Sequence, residues 1–287
     1  MRRILAPILT VLVLASPAGA EPGDPRVAAL QVGLRAHGLY AGPVDGVLGS
    51  QTSRAVLRLQ RRSRIAADGV PGPQTRAALG RFGAHPFGSR TLRLGMSGFD
   101  VAALQFSLAW HGFPSGTFDG EFGARTEAAL LRFQRWASLV PAGRATAQTL
   151  AALRDPPPTS PLELAWPLAL PVTDTFGPRG QRFHAGIDIP AAYGKRIYAA
   201  APGRVVYAGW HDGGWGYEVT VAHASGVRTL YAHLSVVDVT LGDLVSTSSP
   251  VGQVGASGAA SGPHLHFEVL LRGARVDPLS ALPTPGP

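Results

Sequence analysis

Gly262-Pro263-His264-Leu265-His266-Phe267-Glu268-Val269 alternates like a β-strand, with apolar and aromatic residues at every second place and a proline at the start, where no ladder donor is lost. With a period of two, His264 and His266 face one side and Leu265, Phe267 and Val269 the other. Imidazoles on a strand of this kind need partners, because an unpaired buried polar group is costly. Upstream, His184-Ala185-Gly186-Ile187-Asp188 offers another imidazole and a carboxylate, which share a face if the chain is extended there. Two imidazoles and one carboxylate suit Zn²⁺ and leave a coordination position open. A further histidine, His233 in Tyr231-Ala232-His233-Leu234, ends another alternating run between the two clusters. The set points to a catalytic zinc centre.

Outward from this strand, the chain after Trp166 is rich in Val, Tyr, Gly and Thr. Short alternating runs cover 197–200, 203–208, 217–222, 229–234 and 264–271, and Ala224-Ser225-Gly226 reads as a hairpin loop. Residues 166–282 are therefore expected to form an all-β domain of antiparallel strands. Residues 155–165, opening on Asp155-Pro156-Pro157-Pro158, read as an extended, semi-rigid linker.

Before the linker lies an internal repeat. Val27-Ala28-Ala29-Leu30-Gln31 returns as Val101-Ala102-Ala103-Leu104-Gln105, an offset of 105 − 31 = 74. The same offset carries Asp45-Gly46 to Asp119-Gly120, Thr52 to Thr126 and Gln60 to Gln134 without gaps. Each copy, 24–82 and 92–154, predicts an amphipathic helix, a turn through Asp-Gly, a second helix and a short third one. The expected fold class is thus multidomain: two small all-α three-helix repeats, then the all-β domain.

The ordered motifs His-x-x-x-Asp, Tyr-x-His-Leu and Ser-Gly-x-x-x-Gly-Pro-His-Leu-His-Phe-Glu-Val resemble those of the lysostaphin-like (LytM, M23) zinc metalloendopeptidases, which cut the peptide part of bacterial peptidoglycan. The resemblance implies that His184, Asp188 and His266 are zinc ligands, and that His233 and His264 are catalytic. Phe176-Gly177-Pro178-Arg179 matches that family's Phe-Gly-x-Arg, and Ser248 stands where its members usually carry glycine. The repeats resemble the peptidoglycan-binding-like domain (PGBD type 1), although the second Asp-Gly of copy one, Asp68-Gly69, is Ala142-Gly143 in copy two. Together the resemblances imply a secreted peptidoglycan hydrolase tethered to the cell wall, with a catalytically inactive wall-binding or hydrolase-activating relative as the alternative.

Met1-Arg2-Arg3, an apolar run to Ala15, and Ala18-Gly19-Ala20 make residues 1–20 a secretory signal peptide, the run being too short for a membrane span. A periplasmic or cell-wall location follows. The chain has no cysteine, which excludes disulfides and thiolate metal sites. Its formal charge of +8 is almost wholly arginine and would draw it towards anionic wall groups, while no motif supports nucleic acid binding. A sugar-cleaving site would need paired carboxylates, and none stands beside a motif.

With no His-Glu-x-x-His helix in the sequence, proton transfer falls to His264 and His233. Strict alternation places Tyr231 on the His233 face, as a donor to the reaction or as packing. Glu268, on the His264/His266 face, reads as an exposed strand end rather than as a brace for a ligand. His223 reads as hydrogen-bonded structure, His211 as part of a groove-walling loop, and His37 and His111 as helix ends.

Overall fold

The structure is a computed structural model, and it describes residues 22–284. The expected signal peptide lies outside these residues. Among the described residues no helix is long and apolar enough to cross a membrane.

Six helices form the two repeats: α1 (Pro25–Ala36), α2 (Ser50–Arg62) and α3 (Pro73–Ala78), then α4 (Phe99–Trp110), α5 (Ala124–Trp136) and α6 (Ala147–Ala152). Asp24 caps α1 by accepting from the Arg26 N–H at 2.7 Å, with Pro25 preset for the first turn. The repeated Gln, Asp-Gly and Thr form one buried staple. Gln31 donates to Asp45 at 2.6 Å and to Thr52 at 3.2 Å, and its carbonyl oxygen accepts from the Gly46 N–H at 2.9 Å. Gln105 does the same with Asp119, Thr126 and Gly120. Gln60 repeats it on Asp68, Thr75 and Gly69, and Gln134 on Thr149 and Gly143. At Ala142 no carboxylate is available, so Gln134 keeps only the amide bond to a backbone carbonyl, of Arg144, that Gln60 also makes to Val70. Most of the repeat signature is therefore a turn-locking device.

Eleven strands follow: β1 (Gly177–Arg179), β2 (Arg182–His184), β3 (Ile187–Pro190), β4 (Arg196–Tyr198), β5 (Gly203–His211), β6 (Gly216–Ala222), β7 (Val227–Val237), β8 (Leu244–Val245), β9 (Pro250–Val254), β10 (His264–Leu271) and β11 (Ala274–Val276). All pairings are antiparallel. β10 is the hub: β7 lies along one edge, and β3 and then β11 along the other. Leu265, Phe267 and Val269 point into a core with Ile187, Ile189, Val219, Val221 and Tyr231, as the alternation requires.

The two units are not held apart by the linker. α4 is buried along its whole length, because α1 packs on one side of it and the β unit on another. Trp110 at its end meets Phe176 and Phe183 edge-on, at ring separations of 6.1 and 5.3 Å. The tip of the β1–β2 hairpin is gripped by equivalent residues of the two repeats. The Val44 N–H donates to the Gly180 carbonyl at 2.8 Å and the Phe118 N–H to the Gln181 carbonyl at 2.7 Å, with 118 − 44 = 74. Gly112 presses on the β10–β11 hairpin: its carbonyl accepts from the Arg275 N–H at 3.1 Å, and a Cβ there would lie 2.3 Å from the Arg275 carbonyl oxygen.

Gly112→Val should therefore prise the units apart and strain a backbone held at φ +87°. The expected cost is about 1–3 kcal/mol, or several degrees of Tm by scanning calorimetry. A Tm within about 1 °C of the parent would contradict this packing.

Candidate metal centre and active site

Register assembles the donors. In the β10–β3 ladder His266 stands opposite Asp188, so the two side chains are cross-strand neighbours on the face away from the core. His184 arrives differently from the sequence expectation. It ends β2 in a separate hairpin, and the turn at Ala185-Gly186, rather than a shared strand face, swings it to Asp188. Gly186 permits this, since a Cβ there would lie 2.3 Å from the Phe267 carbonyl oxygen.

His184 Nε2 lies 3.1 Å from Asp188 Oδ1 and 3.1 Å from His266 Nδ1, and His266 Nδ1 lies 2.8 Å from Asp188 Oδ1. Each outer ring nitrogen already has an acceptor. His184 Nδ1–H donates to the Thr175 carbonyl at 3.0 Å, and His266 Nε2–H to Glu268 at 3.1 Å. With both rings neutral, as a metal ligand requires, those bonds fix the tautomers so that two lone pairs and a carboxylate oxygen converge on one point. Bonds of 2.0–2.2 Å in tetrahedral geometry space zinc's donors roughly 3.2–3.6 Å apart, close to what is found here. The residues fit a divalent cation of zinc's size and ligand preference.

Glu268 corrects one expectation. It is buried, at 1% exposure, and clamps His266 while accepting from Arg275 Nε at 2.8 Å. Burial alone would raise its pKa, but Arg275 and His266 hold it down at about 2. Burial likewise opposes charge on His266, yet the bonds to Asp188 and Glu268 raise its pKa to about 9. Burial would also raise the Asp188 pKa, but His184 and His266 drive it well below the carboxylate range.

His233 and His264 stand beside this cluster, with ring centres 4.7 Å apart and His233 5.8 Å from His266. Each gives its Nδ1–H to a backbone carbonyl at 2.8 Å, of Ser257 and Gly262 respectively, which leaves Nε2 available. Burial is the main cause of the lowered His233 pKa. His233 adopts φ +62°, rare for a bulky residue. Strict alternation would send it into the core beside Tyr231; the left-handed residue turns it to the metal face instead. Tyr231 is accordingly packing, fully buried, its hydroxyl accepting from the Ala200 N–H and from Thr229.

Among the other candidates, His223 bridges Pro202 and Thr229, and His37 and His111 cap α1 and α4. His211 stacks edge-on against Trp215, a residue that lines the cleft. Arg179 pairs with Asp174 and reaches Asp188 Oδ2 at 3.3 Å. Alternation left the bracing parts unseen: Thr175, Ser257 and Gly262 act through carbonyls, which carry no side-chain signature.

Residues 182–278 match the model of peptidase family M23, and residues 23–79 and 97–153 each match the model described as "Putative peptidoglycan binding domain". The chain carries an M23 peptidase domain behind two repeats of the peptidoglycan-binding type. The chain is 45% identical over 105 residues to DD-carboxypeptidase/endopeptidase Mpg of Neisseria meningitidis serogroup B, covering 36% of this chain and 24% of that protein. Over 118 residues the chain is 36% identical to murein hydrolase activator NlpD of Escherichia coli, covering 41% and 31%. The catalytic domain of lysostaphin from Staphylococcus simulans matches with 29% identity and a TM-score of 0.37, covering 38% of this chain and 90% of that one. The chain spans about a quarter of the length of the curated relatives it matches first.

Glu268→Gln should keep the shape of the site and weaken zinc binding by about 10–100-fold in a competition titration, since a bracing partner of a ligand is lost. The depressed Glu268 pKa adds a stability test: its contribution is complete above the ordinary value near 4.5 and disappears as the pH falls towards 2. Over that window the stability difference between parent and variant should shrink. A constant difference would contradict an ionised Glu268.

Proposed function

We propose that the protein is an exported zinc endopeptidase that hydrolyses peptide cross-links of bacterial peptidoglycan, with His184, Asp188 and His266 as metal ligands and His233 and His264 as proton-handling residues. The observation that carries this is the convergence of all five side chains at one cleft, two of them with Nε2 left free beside the donor set. Zinc, when bound, supplies a Lewis acid that polarises a carbonyl and acidifies water. The chain's own residues do the rest. His233 and His264 each hold an imidazole in the tautomer that accepts a proton at Nε2, and burial keeps His233 neutral around pH 7. The open cleft, about 710 Å³, lies within the ~300–1,000 Å³ range of ligand sites. The repeats add affinity for the wall, and the N-terminal signal reading supports export to the periplasm or the wall.

The alternative is a non-catalytic relative, an activator in the manner of the name that NlpD carries. A chain that had given up hydrolysis would be under no need to keep the donor set braced by Glu268 and Thr175 and the strained His233 in place.

Metal content and turnover on one soluble cross-linked peptide test the division of roles. Chelation should abolish cleavage and added zinc restore it. His184→Ala should lose zinc and activity together, whereas His233→Ala should keep about one zinc per chain and lose ~10²–10⁴-fold in turnover. Because burial lowers the His233 pKa, the acidic limb of the parent's pH–rate profile should fall below the usual imidazole value of about 6.5. Loss of zinc from a folded His233→Ala chain, or its near-full activity, would overturn the assignment.

A further inference from the structure

The cleft is not built by the M23 domain alone. Pro114, Gly116 and Arg132 of the second repeat line it together with His184 and His264. Four guanidinium groups, of Arg132, Arg179, Arg182 and Arg275, also face it. Two of them are engaged by carboxylates: Arg179 by Asp174 and Asp188, Arg275 by Glu268. The other two are not. Among the described residues Arg182 has no ion pair or side-chain hydrogen bond, and Arg132 has only a long contact, 3.5 Å, to the Pro114 carbonyl.

The repeat symmetry makes the difference sharper. Arg58 is the equivalent of Arg132, since 132 − 74 = 58, and it donates closely to the Leu39 carbonyl inside its own repeat. Arg132, in the copy that lines the cleft, is left open on the cavity wall. Partial enclosure by the protein and then the charge of Arg275 lower the pKa of Arg132, whose side chain is otherwise exposed, and an anion placed there would be attracted by both guanidinium groups. A planar guanidinium fork suits a carboxylate, which it can bind through two parallel hydrogen bonds.

We propose that Arg132 and Arg182, backed by Arg275, form a carboxylate-binding subsite of the cleft, so that the second repeat takes part in recognising the substrate rather than only tethering the enzyme. The choice of a peptide carboxylate as occupant rests on the hydrolase reading of the same cleft. In this arrangement the second repeat selects peptides with a free carboxyl group near the bond held over the metal donors.

The test is calorimetric binding to the full chain, zinc-loaded and carrying His233→Ala so that the peptide is not consumed. The probes are one soluble cross-linked peptide with free carboxylates and the same peptide with those groups amidated. The acid should bind at least about tenfold more tightly than the amide, the order expected of a charge-assisted hydrogen bond. Adding Arg132→Gln should bring the ratio close to one, and Arg132→Lys should recover part of it. Arg182→Gln changes an exposed side chain and decides the matter if circular dichroism finds Arg132→Gln unfolded. Equal binding of acid and amide by the parent, or an unchanged ratio in the glutamine variants, overturns the proposal. If the acid preference depends on Arg132 but the chain with His233 intact hydrolyses neither peptide, the subsite stands and the hydrolase reading falls.

Discussion

Two imidazole nitrogens and a carboxylate oxygen held about 3 Å apart are mutually repulsive unless a proton or a metal cation lies among them. Most of the M23 domain can be read as the means of keeping them there. Each donor is fixed from behind: His184 by the Thr175 carbonyl, His266 by Glu268, Asp188 by Arg179. Glu268 in turn is fixed by Arg275. Stripping one of these buried groups of its partner would cost ~1–3 kcal/mol, more if charged, which is what each brace avoids. The core beneath β10, with Tyr231 and Phe267 fully buried in contact, supplies the rigidity.

The repeats belong to the same scaffold. His184 is the last residue of a hairpin whose tip is held by Val44 and Phe118 and whose flank is held by Trp110. His184 is therefore positioned in part by residues of the two repeats lying 66 to 140 places earlier in the chain (184 − 118 = 66; 184 − 44 = 140). Arg275 links the two arguments, touching Gly112 through its backbone and Glu268 through its side chain. Movement of the second repeat would reach His266 by that route.

Much of this was legible in the sequence. β10 runs from His264 to Leu271 as its alternation predicts, and the 74-residue offset maps one repeat onto the other down to their glutamine staples. Alternation failed where the backbone left its regular path. His233 turns over at a left-handed residue and no longer shares a face with Tyr231, which of its two open roles takes the packing one, and Glu268 proved to be buried. The turn that brings His184 to Asp188 was hidden for the same reason. The docking of the repeats had one overlooked signal. Phe99, Val101, Leu104, Phe106, Leu108 and Trp110 surround α4, and a helix apolar on every side must be covered on every side. The proline-rich linker drew attention to separation instead.

The central claim is that these three side chains hold one zinc ion. Anomalous diffraction on either side of the zinc absorption edge, from crystals of the full chain grown with zinc, tests it most directly. The account predicts one dominant zinc peak about 2.0–2.2 Å from His184 Nε2, His266 Nδ1 and an Asp188 oxygen, with one coordination position turned to the cleft. A zinc peak bound elsewhere, or none at this centre while the three side chains keep their places, would contradict it.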